Sequence, residues 1–276
     1  SMTQESFERF KAFIEPNLGI KIPPSKKVML EARLAKRIRA LKLGSYEEYC
    51  DYVFSPEGFD REIQQLIDVV TTNETDFFRE AQHYTLLKDS ILPELVLHKK
   101  ISPVNIWSVA ASTGQEAYTL AMVFEEFCRA HAPVPYSILG TDISETVLKV
   151  ATTGIYTEHQ AEKIPRDLMR RYCLKSKKAE QKTIRIKPDI RSKIRFRKLN
   201  LMEDHYPVGK KYHIIFCRNV FIYFDRPNQR RILAELYSHL SPGGYLFMGH
   251  SENIGSTDLP LKSVSAAVYR NTQGAE

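Results

Sequence analysis

The 276-residue chain is long enough to bury one large hydrophobic core or two smaller ones. Its hydrophobic fraction of 43% and charged fraction of 26% are typical of a globular protein, and no apolar run approaches the roughly 18 residues that a membrane span needs. The four cysteines are widely spaced and form no metal-ligand pattern, so we expect free thiols and a cytoplasmic location.

The net charge of +7 is unevenly distributed along the chain. Residues 163–198 contain fifteen Lys or Arg against three acids, and residues 26–42 contain seven Lys or Arg against one acid. Two local positive surfaces favour an acidic macromolecular partner. A solvated face without any partner would give the same pattern, and this alternative stays open here.

The first seventy residues carry helical periodicity and no strand pattern, which predicts a small helical domain. Pro16 with Gly19 is expected to end the first helix, and Ser45 begins a capping box ahead of the third. The predicted helices are 6–15, 26–43, one that opens at Ser45, and 59–70.

The stretch Thr71–Glu80 follows, with an unusual run of Thr, Asn and Arg beside two phenylalanines. Thr71 and Glu74 have the spacing of an ordinary helix start, which is the simpler interpretation. A further helix is predicted over 84–97.

Residues 104–122 hold the pattern around which we organise the rest of the chain. An apolar run over 104–111 predicts a buried strand, Ser112-Thr113-Gly114 breaks it, and a helix is predicted over 116–127. Small residues in such a turn let a ligand approach the backbone at the helix N-terminus. Many α/β turns look similar, so this turn alone does not decide the function.

Strand and helix patterns then alternate to the end of the chain, which predicts an α/β fold with a doubly wound, mostly parallel sheet. The Pro242-Gly243-Gly244 segment is expected to end the last helix. The predicted strands are 136–140, 193–199, 212–217, 245–248 and 263–270, and the predicted helices are 144–152 and 226–240.

In such a sheet, ligands bind beyond the carboxyl ends of the strands. The polar residues at those ends are Ser112–Glu116, Asp142, Asn200 and Asn219. An acid after the second strand commonly holds ribose hydroxyls, whereas two acids and two amides suit a pyrophosphate poorly. We therefore predict a nucleoside ligand without phosphates, for which S-adenosylmethionine fits. The two asparagines could also be simple turn residues.

Together these motifs resemble the CheR family of chemotaxis receptor methyltransferases. The resemblance implies a Rossmann-like class I methyltransferase fold with an N-terminal all-helical domain and a small antiparallel β insert. It implies S-adenosylmethionine as cofactor, S-adenosylhomocysteine as product, and glutamate side chains of cytoplasmic chemoreceptor helices as acceptors. The matching segments are Thr71–Glu80, Trp107–Met122, Gly140–Tyr156, Asn200-Leu201, Phe216–Phe224 and Leu240–Glu252.

The resemblance also implies a division of the chain and a set of site residues. We expect a helical domain over 1–75, a catalytic domain over 76–276 and an inserted β subdomain over 157–198. Arg79 and Tyr223 are the expected catalytic residues, although the first could be a surface residue and the second could pack in the core. The expected cofactor contacts are Asn73, Thr75, Arg79, Glu116, Asp142, Asn200, Leu201, Asn219 and Val220, and the expected receptor contacts are Arg33, Lys36 and Arg37.

Two departures from the family pattern stand out. Ala110 occupies a position in the first turn that is often Gly, but it keeps the turn small. The insert contains no Gly between Ile155 and Gly209, whereas members that dock a receptor carboxyl-terminal peptide tend to have a Gly-rich loop there. We predict that this chain needs no such peptide. The insert's strands are predicted over 183–187 and 193–199, joined by Pro188-Asp189.

Two other functions remain possible from the sequence. A nucleic-acid methyltransferase would use the basic patches, but those enzymes often carry Asn/Asp-Pro-Pro-aromatic where this chain reads Asn219-Val-Phe-Ile-Tyr223. A non-catalytic module that binds the cofactor would keep the same site. We expect no nucleic-acid partner, no membrane insertion and a monomer. The histidines His83, His213 and His250 show no acid or Cys partner at metal spacing, and we expect them to be structural.

Overall fold

The computed structural model describes residues 1–71 and 74–274. The N-terminal domain is helical, as predicted, and three of its helices begin at a side-chain cap: the side chains of Thr3, Ser45 and Ser55 each accept a backbone N–H from the first turn. Its helices are α1 Gln4–Leu18, α2 Lys27–Ala40, α3 Tyr46–Val53 and α4 Pro56–Val70.

The expectation that Pro16 ends the first helix was wrong, because α1 continues to Leu18. A proline this close to the end of a helix costs one backbone hydrogen bond, and the burial of Ile14 and Leu18 outweighs that loss. Gly19 ends the helix in the left-handed conformation (φ 71°) and donates its N–H to the carbonyl of Glu15.

The rest of the chain contains a seven-stranded sheet with helices on both faces. The further helices are α5 Gln82–Leu86, extended by π-helical turns Leu87–Ile91 and Pro93–His98, then α6 Gln115–Ala130, α7 Glu145–Thr153, α8 Arg166–Tyr172, α9 Pro188–Arg191 and α10 Arg226–Ser238. The strands are β1 Val104–Val109, β2 Tyr136–Asp142, β3 Ile155–Thr157, β4 Cys173–Lys175, β5 Thr183–Ile186, β6 Ile194–Lys198, β7 Tyr212–Cys217, β8 Leu240–Met248, β9 Leu261–Ser265 and β10 Val268–Asn271.

The strand order of this sheet is β6-β2-β1-β7-β8-β10-β9. The first five strands in this order run parallel to one another, β10 pairs antiparallel with β8, and β9 pairs antiparallel with β10. The predicted doubly wound, mostly parallel α/β fold is therefore confirmed. Because the five parallel strands point the same way, their carboxyl ends share one edge of the sheet.

The insert forms a separate three-stranded antiparallel sheet of order β3-β5-β4. The expected pairing of the segments 183–187 and 193–199 was wrong: β6 pairs in parallel with β2, with Ile194 opposite Ile138, in the main sheet. The short helix α9 lies between the two segments and separates them. Alternation identifies a strand without identifying its neighbour, so the expected insert bounds of 157–198 include one strand of the main sheet.

Two predictions near the C-terminus also need correction. The segment Pro242-Gly243-Gly244 lies inside β8 instead of ending a helix, and it forms a bulge there: the pairing with β7 passes from Leu240 opposite Tyr212 to Tyr245 opposite Ile214. The predicted single strand 263–270 is a hairpin of β9 and β10, with Ala267 at φ 59° in its turn.

Three buried clusters form the core. One fills the helical domain around Phe10, Leu34 and Tyr49, and the other two cover the opposite faces of the main sheet, around Phe216 and around Trp107. The four cysteines are free thiols, as predicted. Over 1–71 and 74–274, no helix combines the length and the apolar character that a membrane crossing requires.

Candidate active site

A cleft separates the helical domain from the carboxyl ends of β1, β2 and β7. The helical domain contributes the end of α1 and one face of α2 to its wall, including Ile20, Met29 and Arg33. All described residues predicted to bind the cofactor or to be catalytic line this cleft. They are Thr75, Arg79, Glu116, Asp142, Asn200, Leu201, Asn219, Val220 and Tyr223. Asn73 lies outside the described residues.

The turn after β1 brings its backbone up to the cleft through three left-handed residues. Ala110, Ser112 and Gly114 have φ values of 54°, 52° and 99°. A Cβ on Gly114 would lie 2.9 Å from both the Cβ of Ala151 and the hydroxyl of Tyr156, so only glycine fits there. Ala110 adopts a conformation that glycine takes at lower cost, which gives a physical reason for glycine at this position in the family pattern.

Asp142 ends β2 with a buried, oriented carboxylate. Its Oδ2 accepts the backbone N–H of Ser112 at 2.9 Å, and its Oδ1 accepts that of Ser144 at 3.0 Å. Burial raises the pKa of Asp142, and these backbone donors oppose the increase. Each carboxylate oxygen has a second lone pair, so the group can also accept hydroxyl donors from a ligand in the cleft.

Glu116 lies in the first turn of α6 and is buried at the floor of the cleft. Its Oε1 accepts the hydroxyl of Ser108 at 2.7 Å, and its Oε2 accepts Nε–H of Arg218 at 3.0 Å. Burial raises the pKa of Glu116, and the charge of Arg218 opposes that increase. Arg218 comes directly after β7 and was not among the predicted site residues; the only local signal was a charged residue ending an apolar run.

The loop after β7 carries Asn219, Val220 and Tyr223, and a single buried carboxylate holds it. Oε1 of Glu252 accepts the N–H of Asn219 at 2.5 Å and that of Gly249 at 2.9 Å, while Oε2 accepts the N–H of Ile222 at 3.2 Å. Asn219 has a φ of 61°, so it is a left-handed turn residue, one of the two roles expected for it. It also lines the cleft.

Asn200 also combines a turn with a place in the cleft wall. Its side-chain oxygen accepts the N–H of Met202 at 2.9 Å, and its amide donates to the carbonyl of Asn17 at 2.8 Å. A Cβ on Gly19 would lie 2.6 Å from Sδ of Met202 and from the ring of Phe224. The end of α1 therefore packs closely against the catalytic domain beside the cleft.

Arg79 and Tyr223 approach the cleft from opposite segments. Arg79 is half-buried and lines the cleft, and its Nη1 makes a long contact of 3.4 Å with the carbonyl of Glu74. Tyr223 is half-buried in a 3-10 turn, and the preceding Ile222 is 55% exposed at the rim.

The three basic residues expected on one receptor-binding face of α2 differ in their surroundings. Arg33 lines the cleft and donates to the carbonyl of Val70 at 2.8 Å, and Lys36 is exposed. Arg37 forms a two-pronged ion pair with buried Glu62, at 2.6 and 2.9 Å. This guanidinium joins α2 to α4 inside the domain, and the expected receptor contact of Arg37 stays a prediction.

The expectation that the histidines lack an acid neighbour was also wrong for two of them. Potential ligand atoms of Glu80, His83 and His250 lie within 4.8 Å of one another. However, Nη1 of Arg218 lies 3.1 Å from Nδ1 of His83 and 3.7 Å from Glu80 Oε2. A guanidinium so close opposes a second cation, and the geometry does not favour a metal ion in this cluster.

Two family profiles match nearly the whole chain. One is described as the CheR methyltransferase all-alpha domain and matches residues 5–71, and the other is the CheR methyltransferase S-adenosylmethionine-binding domain and matches residues 73–270. The chain belongs to the CheR methyltransferase family.

Several relatives are similar over nearly their full length. Chemotaxis protein methyltransferase 2 of Pseudomonas aeruginosa is 36% identical, covering 97% of this chain and 93% of the relative. The chemotaxis protein methyltransferases of Borreliella burgdorferi and Escherichia coli are 34% and 33% identical, covering 98% of this chain and 95% and 91% of the relatives. This CheR chain is thus an S-adenosylmethionine-dependent methyltransferase of chemotaxis.

The residues of the cleft fit that cofactor. Asp142 offers fixed acceptors for ribose hydroxyls, and Glu116 supplies negative charge for a ligand that carries a sulfonium and an ammonium group. Gly114 allows backbone approach at the helix N-terminus. Arg218 and Glu252 could not be identified from local sequence, because their partners Glu116 and Asn219 lie far away in the chain.

Proposed function

We propose that this CheR chain transfers the methyl group to glutamate carboxylates on the cytoplasmic helices of chemoreceptors, giving glutamate methyl esters. The observation that carries the proposal is the set of ionisable groups in the cleft. The described lining residues include four cations (Lys26, Arg33, Arg79 and Arg218), three acids (Glu74, Glu116 and Asp142) and no histidine. Without a histidine, and with both buried acids already hydrogen-bonded, this set favours an acceptor that is already an anion and needs no general base.

The chemistry of a glutamate acceptor agrees with this set. A glutamate side chain has an ordinary pKa near 4.3, so at neutral pH it is a nucleophile that needs no general base. S-adenosylmethionine supplies an electrophilic methyl group when bound. The two buried acids of the cleft, Glu116 and Asp142, each already accept two hydrogen bonds and are not placed to take a proton from a substrate.

The work of the protein is then to bind, orient and exclude water. We propose that Arg79 holds the cofactor's own carboxylate and that Tyr223 orients the acceptor at the rim. Arg33 and the exposed Lys36 would meet the acidic receptor surface, with Arg33 guiding the carboxylate toward the cleft. Opposite charges attract more strongly once water is removed, so closure of the cleft by the receptor helix would favour the reaction.

The test is methyl transfer with label in the methyl group of S-adenosylmethionine and a receptor cytoplasmic fragment as acceptor. We expect label on the fragment that mild base releases as methanol, since carboxyl esters hydrolyse under those conditions. A fragment with Gln at its methylation positions should take up no label. Tyr223→Phe and Arg79→Ala should lower the rate, while the exposed Lys88→Ala serves as a matched surface control.

The rival functions predict different products. Base-stable label on RNA or DNA would indicate a nucleic-acid methyltransferase and contradict the proposal. Tight binding of S-adenosylhomocysteine with no transfer to any receptor fragment would indicate a non-catalytic binding module instead.

A further inference from the structure

We propose that Arg218 is a positioning residue for the cofactor, which fixes Glu116 and the segment carrying Arg79 at the cleft and supplies the charge that keeps Glu116 anionic. This inference rests on the proposed roles of Glu116 and Arg79 as cofactor contacts. The side chain of Arg218 is only 2% exposed, so it is a buried cation whose partners must account for its presence.

Four groups from two parts of the chain, α6 and the segment 79–84, accept hydrogen bonds from this guanidinium. The Nε–H donates to Glu116 at 3.0 Å. Nη1 donates to the carbonyl of Arg79 at 2.8 Å and to Nδ1 of His83 at 3.1 Å. Nη2 donates to the hydroxyl of Tyr84 at 2.8 Å. The planar fork of arginine satisfies these directions at once, which a lysine ammonium cannot do.

Aromatic rings complete the site of Arg218. Its guanidinium carbon lies 5.1 Å from the ring centroid of Tyr84 and 5.0 Å from that of Phe216. These contacts stabilise the charged guanidinium among apolar side chains while its N–H groups donate to Arg79 and Glu116. Arg218 therefore anchors the segment 79–84 to the end of β7, and this segment carries Arg79 at the cleft wall.

The second consequence concerns the charge on Glu116. Burial raises the pKa of this carboxyl, and Arg218 and the hydrogen bond from Ser108 act in the opposite direction. The other titratable groups that influence it are Glu80, Tyr84 and the thiol of Cys217. None of these is a cation, so removal of Arg218 leaves Glu116 beside neutral or negative groups.

A cofactor with a positively charged amino group needs Glu116 as an anion. With Arg218 in place, Glu116 should stay ionised over the whole neutral range, and cofactor affinity should hardly depend on pH. Without Arg218, Glu116 should take up a proton within that range. The affinity should then fall as the pH falls, which a purely structural role of Arg218 would not cause.

The experiment is calorimetric titration of the full chain with S-adenosylhomocysteine from about pH 6 to about pH 8. The ligand's amino group stays protonated over this range, because the carboxylate beside it holds the pKa of that group above the value for a peptide amino terminus. We expect a flat profile for the parent and for Glu116→Gln, with the latter binding roughly tenfold more weakly. Arg218→Met should bind roughly ten- to a hundredfold more weakly at the acid end and recover a large part of this loss at the alkaline end.

Two further variants complete the design. Arg218→Met/Glu116→Gln removes both charges, so it should fold even if the single Arg218→Met variant does not, and its profile should be flat. Arg218→Lys keeps the positive charge but loses the planar guanidinium group with its several donors. This variant should bind S-adenosylhomocysteine weakly, with an affinity that does not change with pH. Thermal unfolding of each variant checks that the compared proteins are folded.

The outcomes separate the inference from the proposed site. Unchanged affinity in Glu116→Gln would refute the cofactor role of Glu116. If that variant is weakened but Arg218→Met shows a flat profile, the charge role of Arg218 is wrong. Where Arg218→Met does not fold, a pH-dependent profile in Arg218→Lys would equally overturn the inference, because the lysine charge should suffice to keep Glu116 ionised.

Discussion

Replacing Glu252 by glutamine tests whether one buried carboxylate holds the loop that presents Asn219 and Tyr223. Glu252 is 6% exposed and accepts three backbone N–H groups, from Asn219, Gly249 and Ile222. Glutamine has nearly the same shape. Its amide oxygen can keep the two donors on one side, but its –NH2 group then faces the N–H of Ile222.

The expected loss of stability follows from these contacts. Hydrogen bonds to a charged group contribute about 1.5–3 kcal/mol each, against about 0.5–1.5 kcal/mol for a neutral pair. Two weakened bonds and one unpaired, partly buried N–H of Ile222 together should lower the free energy of unfolding by about 2–4 kcal/mol. For a chain of this length, that corresponds to a decrease in Tm of about 5–10 °C.

Activity should fall as well, because the loop carries the residues beside the reacting groups. A displacement of about 1 Å at such a site can lower the rate about a hundredfold, so we expect kcat to fall about ten- to a hundredfold. Scanning calorimetry and the base-labile methyl assay measure the two effects. Glu158→Gln is the matched control, since it removes the same charge at an exposed position of the insert. Equal Tm and kcat values for the two variants would refute this account of Glu252.

Four other predictions concern the cofactor, the helical domain, the buried histidine and the insert. Asp142→Ala should weaken S-adenosylhomocysteine binding by about 1.5–3 kcal/mol in calorimetric titration, because it removes a charged acceptor; an unchanged Kd would place Asp142 outside the site. Lys36→Glu should raise KM for the receptor fragment, most strongly at low salt, without affecting cofactor affinity. Arg37→Glu should instead destabilise the protein by about 3–5 kcal/mol, because Glu62 loses its buried partner. Equal stability of the two variants in urea unfolding would contradict this. Burial lowers the pKa of His83 from 6.5 to about 4, so its neutral form contributes stability above pH 6.5 that is lost as the pH falls through 4. His83→Gln should therefore lose about 3 kcal/mol less unfolding free energy than the parent when the pH is lowered over this range. An identical pH dependence of stability in both proteins would rule this out. A receptor carboxyl-terminal pentapeptide should show no binding in titration, and micromolar affinity would overturn the prediction for the insert.

Much of the architecture could be predicted from local patterns. Apolar residues at helical spacing identified α2, and an unbroken apolar run identified β7 with the observed bounds. Polar residues after β2 and β7 identified Asp142 and Asn219 as residues of one cleft. This succeeded because parallel strands bring their carboxyl ends to a common edge, so position along each strand carries spatial information.

Strand pairing was beyond these patterns. Alternation in 193–199 indicated a strand, yet its position beside β2 depended on the short helix α9, which directs the chain back to the main sheet. The same limit applies to Pro242-Gly243-Gly244, a typical turn sequence that forms a bulge inside β8 between two residues that pair with β7. Tertiary contact outweighed local preference in both cases.

The sequence by itself determined the fold class, the family and most of the residues around the cleft, since these depend on periodicity and on short motifs at strand ends. Only the tertiary structure decided the partners of the buried charges. Arg218 meets Glu116 across 102 positions of the chain, and Arg37 meets Glu62 across 25. A charge that is removed from water needs an oriented partner, and folding supplies that partner from a distant segment whose local sequence gives no sign of the contact.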